Sequence, residues 1–202
     1  NGQWVTIDSS EVVHGLFSMK GPVDSVMMVT LYMDDEGIMP LILEDGRIEI
    51  IISNSQLSAK GTLLNNALYE FIEKRNAMEV EMGELERKEA RMVLDGANLE
   101  DVHEQLAKEE ETLAKEMNDY VKDFIIENYE NVLGPGVFMM MCSTLPYPIM
   151  TPQIEDIMRT APLIFKENAF VKDFLSKAKQ NMQLLEEHKR LQQSSETTAM
   201  QH

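Results

Sequence analysis

The chain has 202 residues, 44% of them hydrophobic, and a formal net charge of -17. That apolar share supports a packed core and excludes global disorder, while the negative charge repels phosphate backbones and anionic lipid surfaces, which excludes nucleic acid as the expected partner. No run of about 18 apolar residues occurs, so no helical span of a bilayer is expected, and the opening Asn1-Gly2-Gln3-Trp4 shows no charged and apolar leader regions, so either a cytosolic protein or one whose signal peptide has been removed is expected.

Residues 3 to 60 read as strands. Trp4, Thr6 and Asp8 alternate with Val5 and Ile7, and Val13, Leu16 and Phe17 follow around a turn or bulge at His14-Gly15. Gly21-Pro22 ends that run, because proline donates nothing to a ladder. Val26 to Met33 is a long apolar strand, closed by a turn over Asp34-Asp35-Glu36-Gly37. Ile38 to Leu43 and Arg47 to Ile52 flank Asp45-Gly46, a pair that signals a hairpin. Gln56 to Ala59 adds a short strand. Five or six short strands with closely spaced turns imply antiparallel meanders.

At Lys60-Gly61-Thr62 the period changes. Thr62 suits an N-cap, its hydroxyl placed to accept from a first-turn N–H. Leu64, Leu68, Phe71, Arg75, Met78, Met82, Leu85, Glu89 and Met92 then step by three and four. Asp95-Gly96 stops this helix, and Asn98 caps the next, with Asp101 three residues on as a shortened capping box. Leu99, Val102, Leu106, Leu113, Met117, Val121, Phe124 and Ile125 form its stripe. Two helices of about 30 residues, each roughly 45 Å long, joined this tightly make an antiparallel helical hairpin. Asn131 to Gly136 reads as a break and Val137 to Cys142 as a buried helix. Thr151-Pro152 opens a short helix over 153 to 160, Asn168 starts the last one, and from Leu191 the Gln/Ser/Thr-rich tail is expected to fray.

Candidate chemistry is sparse. Glu100-Asp101-Val102-His103 has the Glu-x-x-His spacing of a carboxylate-bridged di-iron ligand pair. His188 has Leu185 in place of the second glutamate, so an exposed acidic face is the better reading. Cys142 is the lone cysteine, so no intrachain disulfide or CxxC pair forms, and its flanks Met139-Met140-Met141 point to a buried thiol. The 16 methionines sit mostly in apolar patterns and read as core. The acidic run Glu109-Glu110-Glu111 lacks a calcium-loop spacing and reads as a solvated face. No phosphate-cradling loop, GxSxG elbow or HExxH occurs.

Three stretches carry a family resemblance. They are TIDSSEVVHGLFSMKGPVD (6–24), MPLILEDGRIEIII (39–52) and KGTLLNNALYEF (60–71). Their order and spacing resemble the domain of unknown function that precedes thioredoxin-like thiol–disulfide oxidoreductase domains in envelope lipoproteins of Gram-negative anaerobes. The helical part, including NYENVLGPGVF (128–138), resembles the spacer of those proteins. Two departures stand out. No CxxC follows, so the redox activity does not carry over. Family members also begin with a further strand or hairpin, whereas only Asn1 to Thr6 precede Ile7, so a fragment or a missing edge strand is expected.

The expected fold is α+β: an N-terminal antiparallel β-sheet or sandwich over residues 1–60, then a helical region over 61–202. That region comprises a long hairpin (62–130), a compact set of short helices (137–190) and a frayed tail (191–202). The expected function is non-enzymatic: an exported, lipid-anchored envelope protein, periplasmic or held at the outer membrane, that binds or positions a protein partner. No catalytic, cofactor-binding or metal-binding residue is assigned and no cofactor is expected. Membrane association would run only through a lipid anchor outside this chain, and a homodimer is an open alternative. A holdase-type chaperone, or a redox protein acting through Cys142, are the other readings.

Overall fold

The computed structural model describes residues 5–199, and within them the fold is α+β, four short strands followed by six helices. Strands β1 (Met27–Met33) and β2 (Glu36–Leu43) pair antiparallel. Asp34 and Asp35 join them, both at positive φ (51° and 65°), the backbone a two-residue hairpin needs to match strand twist. The register passes from Leu31↔Met39 to Tyr32↔Gly37, leaving Ile38 as a bulge. Strands β3 (Glu49–Ile52) and β4 (Leu57–Lys60) form a second antiparallel pair. Their turn is closed by Ser53, whose N–H donates to Gln56 O at 2.8 Å and whose Oγ accepts from Gln56 N–H at 3.0 Å.

Two strand expectations fail. Asp45-Gly46 does not close a hairpin, because β2 pairs with β1 and β3 with β4. Gly46 (φ +128°) instead turns the chain from one ladder to the other against the Thr62 methyl. Residues 5–26 form no strand: Val13 and Leu16 make a single bridge around His14 and Gly15, both at positive φ. Alternation gives this stretch a strand's chemistry, but a strand also needs a neighbour to bond. Trp4 lies outside the described residues.

Helices α1 (Leu63–Leu94) and α2 (Leu99–Glu127) form the expected hairpin. Past Leu94 the N–H of Gly96 (φ +88°) donates to Val93 O at 3.1 Å and that of Ala97 to Met92 O at 3.0 Å. These two bonds are the Schellman arrangement, and they satisfy carbonyls the helix end would orphan. Asn98 Oδ1 accepts from the N–H of Glu100 (2.8 Å) and Asp101 (3.4 Å), as an N-cap should. At the hairpin's base, Phe71 packs on Phe124 (4.3 Å between centroids) and Tyr120 (5.4 Å).

Helix α3 (Leu133–Ser143) starts earlier than expected. Gly134-Pro135-Gly136 reads as a break in sequence but forms its first turn, where proline's missing N–H has no intrahelical partner to lose. Gly134 lets the helix sit on Asn128 O, 2.3 Å from where a Cβ would be, and Gly136 receives the Met28 side chain of β1. Helix α4 (Pro152–Thr160) is capped by Thr151 Oγ1, which accepts from Ile154 N–H at 3.3 Å. Short α5 (Leu163–Lys166) leads to α6 (Ala169–Ala199), capped by Asn168. The tail expected to fray from Leu191 continues α6 to Ala199, and residues 200–202 lie outside the described residues.

One core joins these elements. It draws Met39, Leu41 and Ile42 from β2, Leu68, Tyr69 and Phe71 from α1, and Phe138, Phe165, Val171 and Phe174 from the later helices. Phe165 meets Tyr129 and Phe138 edge-on at 4.7 and 5.6 Å. Each such ring, fully buried, adds about 2–3 kcal/mol of transfer free energy. Among the described residues, no helix is long and apolar enough to cross a membrane.

Candidate functional site

The most elaborate polar construction lies where β4 hands over to α1. Thr62 occupies the N-cap position with extended backbone, yet its hydroxyl bonds no first-turn N–H. The cap comes from Glu44, at the end of β2, whose Oε1 accepts from the N–H of Leu64 (2.9 Å) and Asn65 (3.1 Å). A carboxylate here satisfies two orphan donors and complements the helix dipole. Thr62 Oγ1 instead accepts from Asn65 Nδ2 at 2.8 Å. Asn65 is fully buried and works as a substitute strand: its Oδ1 accepts from Ile42 N–H (2.9 Å) and its Nδ2 donates to Ile42 O (2.8 Å). One turn on, Tyr69 OH donates to Pro40 O at 2.8 Å. Gly61 (φ +109°) completes the joint, because a Cβ there would stand 2.4 Å from Arg47 O.

This joint accounts for two of the stretches that carry the resemblance. Leu43-Glu44-Asp45-Gly46 and Gly61-Thr62-Leu63-Leu64-Asn65 meet in space, one supplying the cap and the other the surrogate strand. Glu44, Asn65 and Tyr69 each bond backbone groups of another element, and Thr62 braces Asn65, so the joint holds the fold.

The candidate reactive residues are placed apart. Cys142 is buried (6% exposed), and desolvation pushes its thiol up to about 12. A thiol held protonated by an apolar surrounding is a weaker nucleophile than an exposed one. His103 Nε2 lies 2.6 Å from Glu89 Oε1 across the α1–α2 seam, while Glu100 and Asp101 stay at the exposed start of α2. His188 is exposed on α6. Among the described residues, no three His, Cys, Asp or Glu side chains gather as a metal would require.

Two surface features among the described residues bear on function. A shallow depression of about 520 Å³ is lined by Tyr129, Thr160, Pro162 and the carboxylates Glu127 and Glu130. Tyr129 OH is already committed there, donating to Ile157 O with Thr160 Oγ1 at 3.2 Å, and burial raises its pKa. The hairpin tip is more apolar than the turn residues Gly96-Ala97-Asn98 suggest, because Val93 (40%), Leu94 (85%) and Leu99 (52%) are exposed beside Asp95, Glu100 and Asp101. The helical periodicity ran through Met92 and Leu99 without revealing that the flanking apolar residues would end up uncovered.

Residues 1–68 match the family model described as a domain of unknown function (DUF4369), in keeping with the resemblance carried by the N-terminal stretches. No curated protein and no solved structure matched the chain.

Proposed function

We propose that the chain is a non-enzymatic positioning module of the cell envelope, lipid-anchored through a segment outside this sequence. It holds a protein partner at a fixed distance from its β platform. The observation that supports this reading is the joint. Glu44, Asn65, Tyr69 and Gly61 tie the first turns of α1 to β2 and the β3 approach. Beyond that anchor α1 continues over residues 73–94 with α2 as companion, an arm of about 33 Å. A long arm on an over-determined base suits a spacer better than a catalyst. By the family resemblance, the partner in view is a thioredoxin-like oxidoreductase. The test places a photo-crosslinking side chain at Leu94 in cells producing the native precursor. Crosslinks to an envelope oxidoreductase, lost when Asn65→Ala loosens the base, are expected. A precursor that fractionates with the cytosol, or a crosslinking pattern indifferent to the base, refutes the reading.

A second reading, a holdase-type chaperone, is favoured by the exposed Val93, Leu94 and Leu99 at the tip. It requires the protein to suppress aggregation of a reduced client, and Leu94→Asp with Leu99→Asp to abolish that effect without lowering stability. The redox reading requires rapid maleimide labelling of native Cys142 at neutral pH, and its burial predicts labelling only as fast as the protein opens.

A further inference from the structure

The β1–β2 pair is closed on one side and open on the other. On the β2 side, Asn65 bonds both backbone groups of Ile42, and Tyr69 bonds Pro40 O. Ile42 and Pro40 therefore turn their backbone groups away from β1. Facing residues in an antiparallel ladder share one orientation, and their partners are Met28 and Thr30. The N–H and C=O of Met28 and Thr30 thus face away from β2, on the open side. Neither N–H bonds any described side chain or turn. Pro40 fits the same parity, since the N–H it lacks would have pointed outward.

We propose that this open edge pairs with the same edge of a second copy. Two β1 strands meet antiparallel about a two-fold axis at Val29, forming a four-stranded sheet β2-β1-β1-β2. In that register Met28 lies opposite Thr30 of the other copy, twice, and four backbone hydrogen bonds form.

Charge favours a second copy on this face despite the total of -17. Residues 1–33 hold one lysine (Lys20) against three acids (Asp8, Glu11, Asp24), a net of -2. Residues 25–33, which include β1, carry no charged side chain, so the copies approach along an uncharged edge, as the charge-poor core of an interface requires. The apolar area is also present. On β1 and next to it, Val26, Met27, Tyr32 and Met33 are 37–52% exposed. The stretch from residue 5 belongs to the matched domain yet gains only one bridge within a single copy. This surface is independent of the positioning role.

The experiment is sedimentation of the wild type at tens of micromolar, beside Thr30→Pro. Proline at 30 removes an outward N–H and leaves the β1–β2 bonds intact. The expected result is a wild-type dimer and a Thr30→Pro monomer of unchanged helical circular dichroism. A monomeric wild type overturns the proposal, and so does a dimer that folded Thr30→Pro leaves intact. Should Thr30→Pro fail to fold, Val29→Cys decides. Non-hydrogen-bonded partners sit about 4.5 Å apart at Cα, within disulfide reach, so oxidation yields a covalent dimer. Its absence overturns the proposal. Met28→Lys is unsuitable, because Met28 packs on Gly136 of α3.

Discussion

Over residues 63–72, α1 buries Leu68, Tyr69 and Phe71 to 2% exposure or less and is bonded to β2 through Asn65 and Tyr69. Over residues 73–94 its described side chains are half-buried at best, and α2 is the helix it packs against. There the seam is held by the half-buried Met78, Met82, Leu85 and Met92 against Val102, Leu106 and Leu113. Polar pairs flank it, with Lys88 Nζ 2.6 Å from Glu109 and His103 Nε2 2.6 Å from Glu89. One helix thus passes from a region specified atom by atom to one specified by pattern. Substitutions should be unforgiving in the first and graded in the second.

Leu68→Asp and Leu113→Asp test this most directly. At Leu68 the buried carboxylate has no partner and should cost about 4–5 kcal/mol, unfolding the whole domain. At Leu113, 8% exposed on the arm, about 2–3 kcal/mol is expected. That loss should appear in hydrogen exchange as early opening of the arm, with the core still protected. Equal, global unfolding by both would erase the distinction. Gly61→Ala comes next. Its Cβ meets Arg47 O at 2.4 Å in a left-handed backbone, so about 3–4 kcal/mol should be lost in denaturant titrations, whereas Gly83→Ala, which meets nothing within 4 Å, should stabilise by up to about 1 kcal/mol. Asn65→Ala leaves the N–H and C=O of Ile42 without partners and should cost about 2–3 kcal/mol.

How much of this was legible divides along the same line. The arm was written in local pattern: the stripes, the stop at Gly96 and the cap at Asn98 all act within a few residues. The joint was not. Thr62 has the right identity for a cap, but Glu44, twenty positions earlier, does the capping, and no local rule ranks a distant carboxylate over a neighbouring hydroxyl. The family stretches did contain both residues, so the resemblance marked the joint before its geometry could. The same limit explains residues 5–26, where alternation cannot tell whether a neighbouring strand is present. It also explains Gly134-Pro135-Gly136, whose helix-breaking look yields to a first-turn position and close packing.

The smallest effects belong to the arm's charges. Glu110→Gln on the solvated face should change stability by less than about 0.5 kcal/mol. The Lys88 hydrogen bond, and then that of Gln105, hold the Glu109 carboxyl below its ordinary 4.5. A depressed carboxylate contributes at pH above its unfolded value and loses that contribution as pH falls through the folded one. The arm's exchange protection should therefore decline slightly at acid pH, and the decline should vanish in Glu109→Gln. A decline of the same size in Glu109→Gln would assign it to other groups.

The dependence of α1 on Glu44 has a kinetic side. A helix must pay for its first turn before propagation rewards it, and here the groups that stabilise that turn arrive from β2, across a loop of about twenty residues. Closing a loop of that length adds an entropic barrier of about 2–3 kcal/mol that a purely local cap would avoid. Nucleation at residues 63–66 is therefore tied to formation of the β1–β2 hairpin, a microsecond event, whereas elongation along the arm proceeds in nanoseconds per residue. The transition state for folding should contain β2 and the first turns of α1 together. The arm, for all its length, should add little to the folding rate.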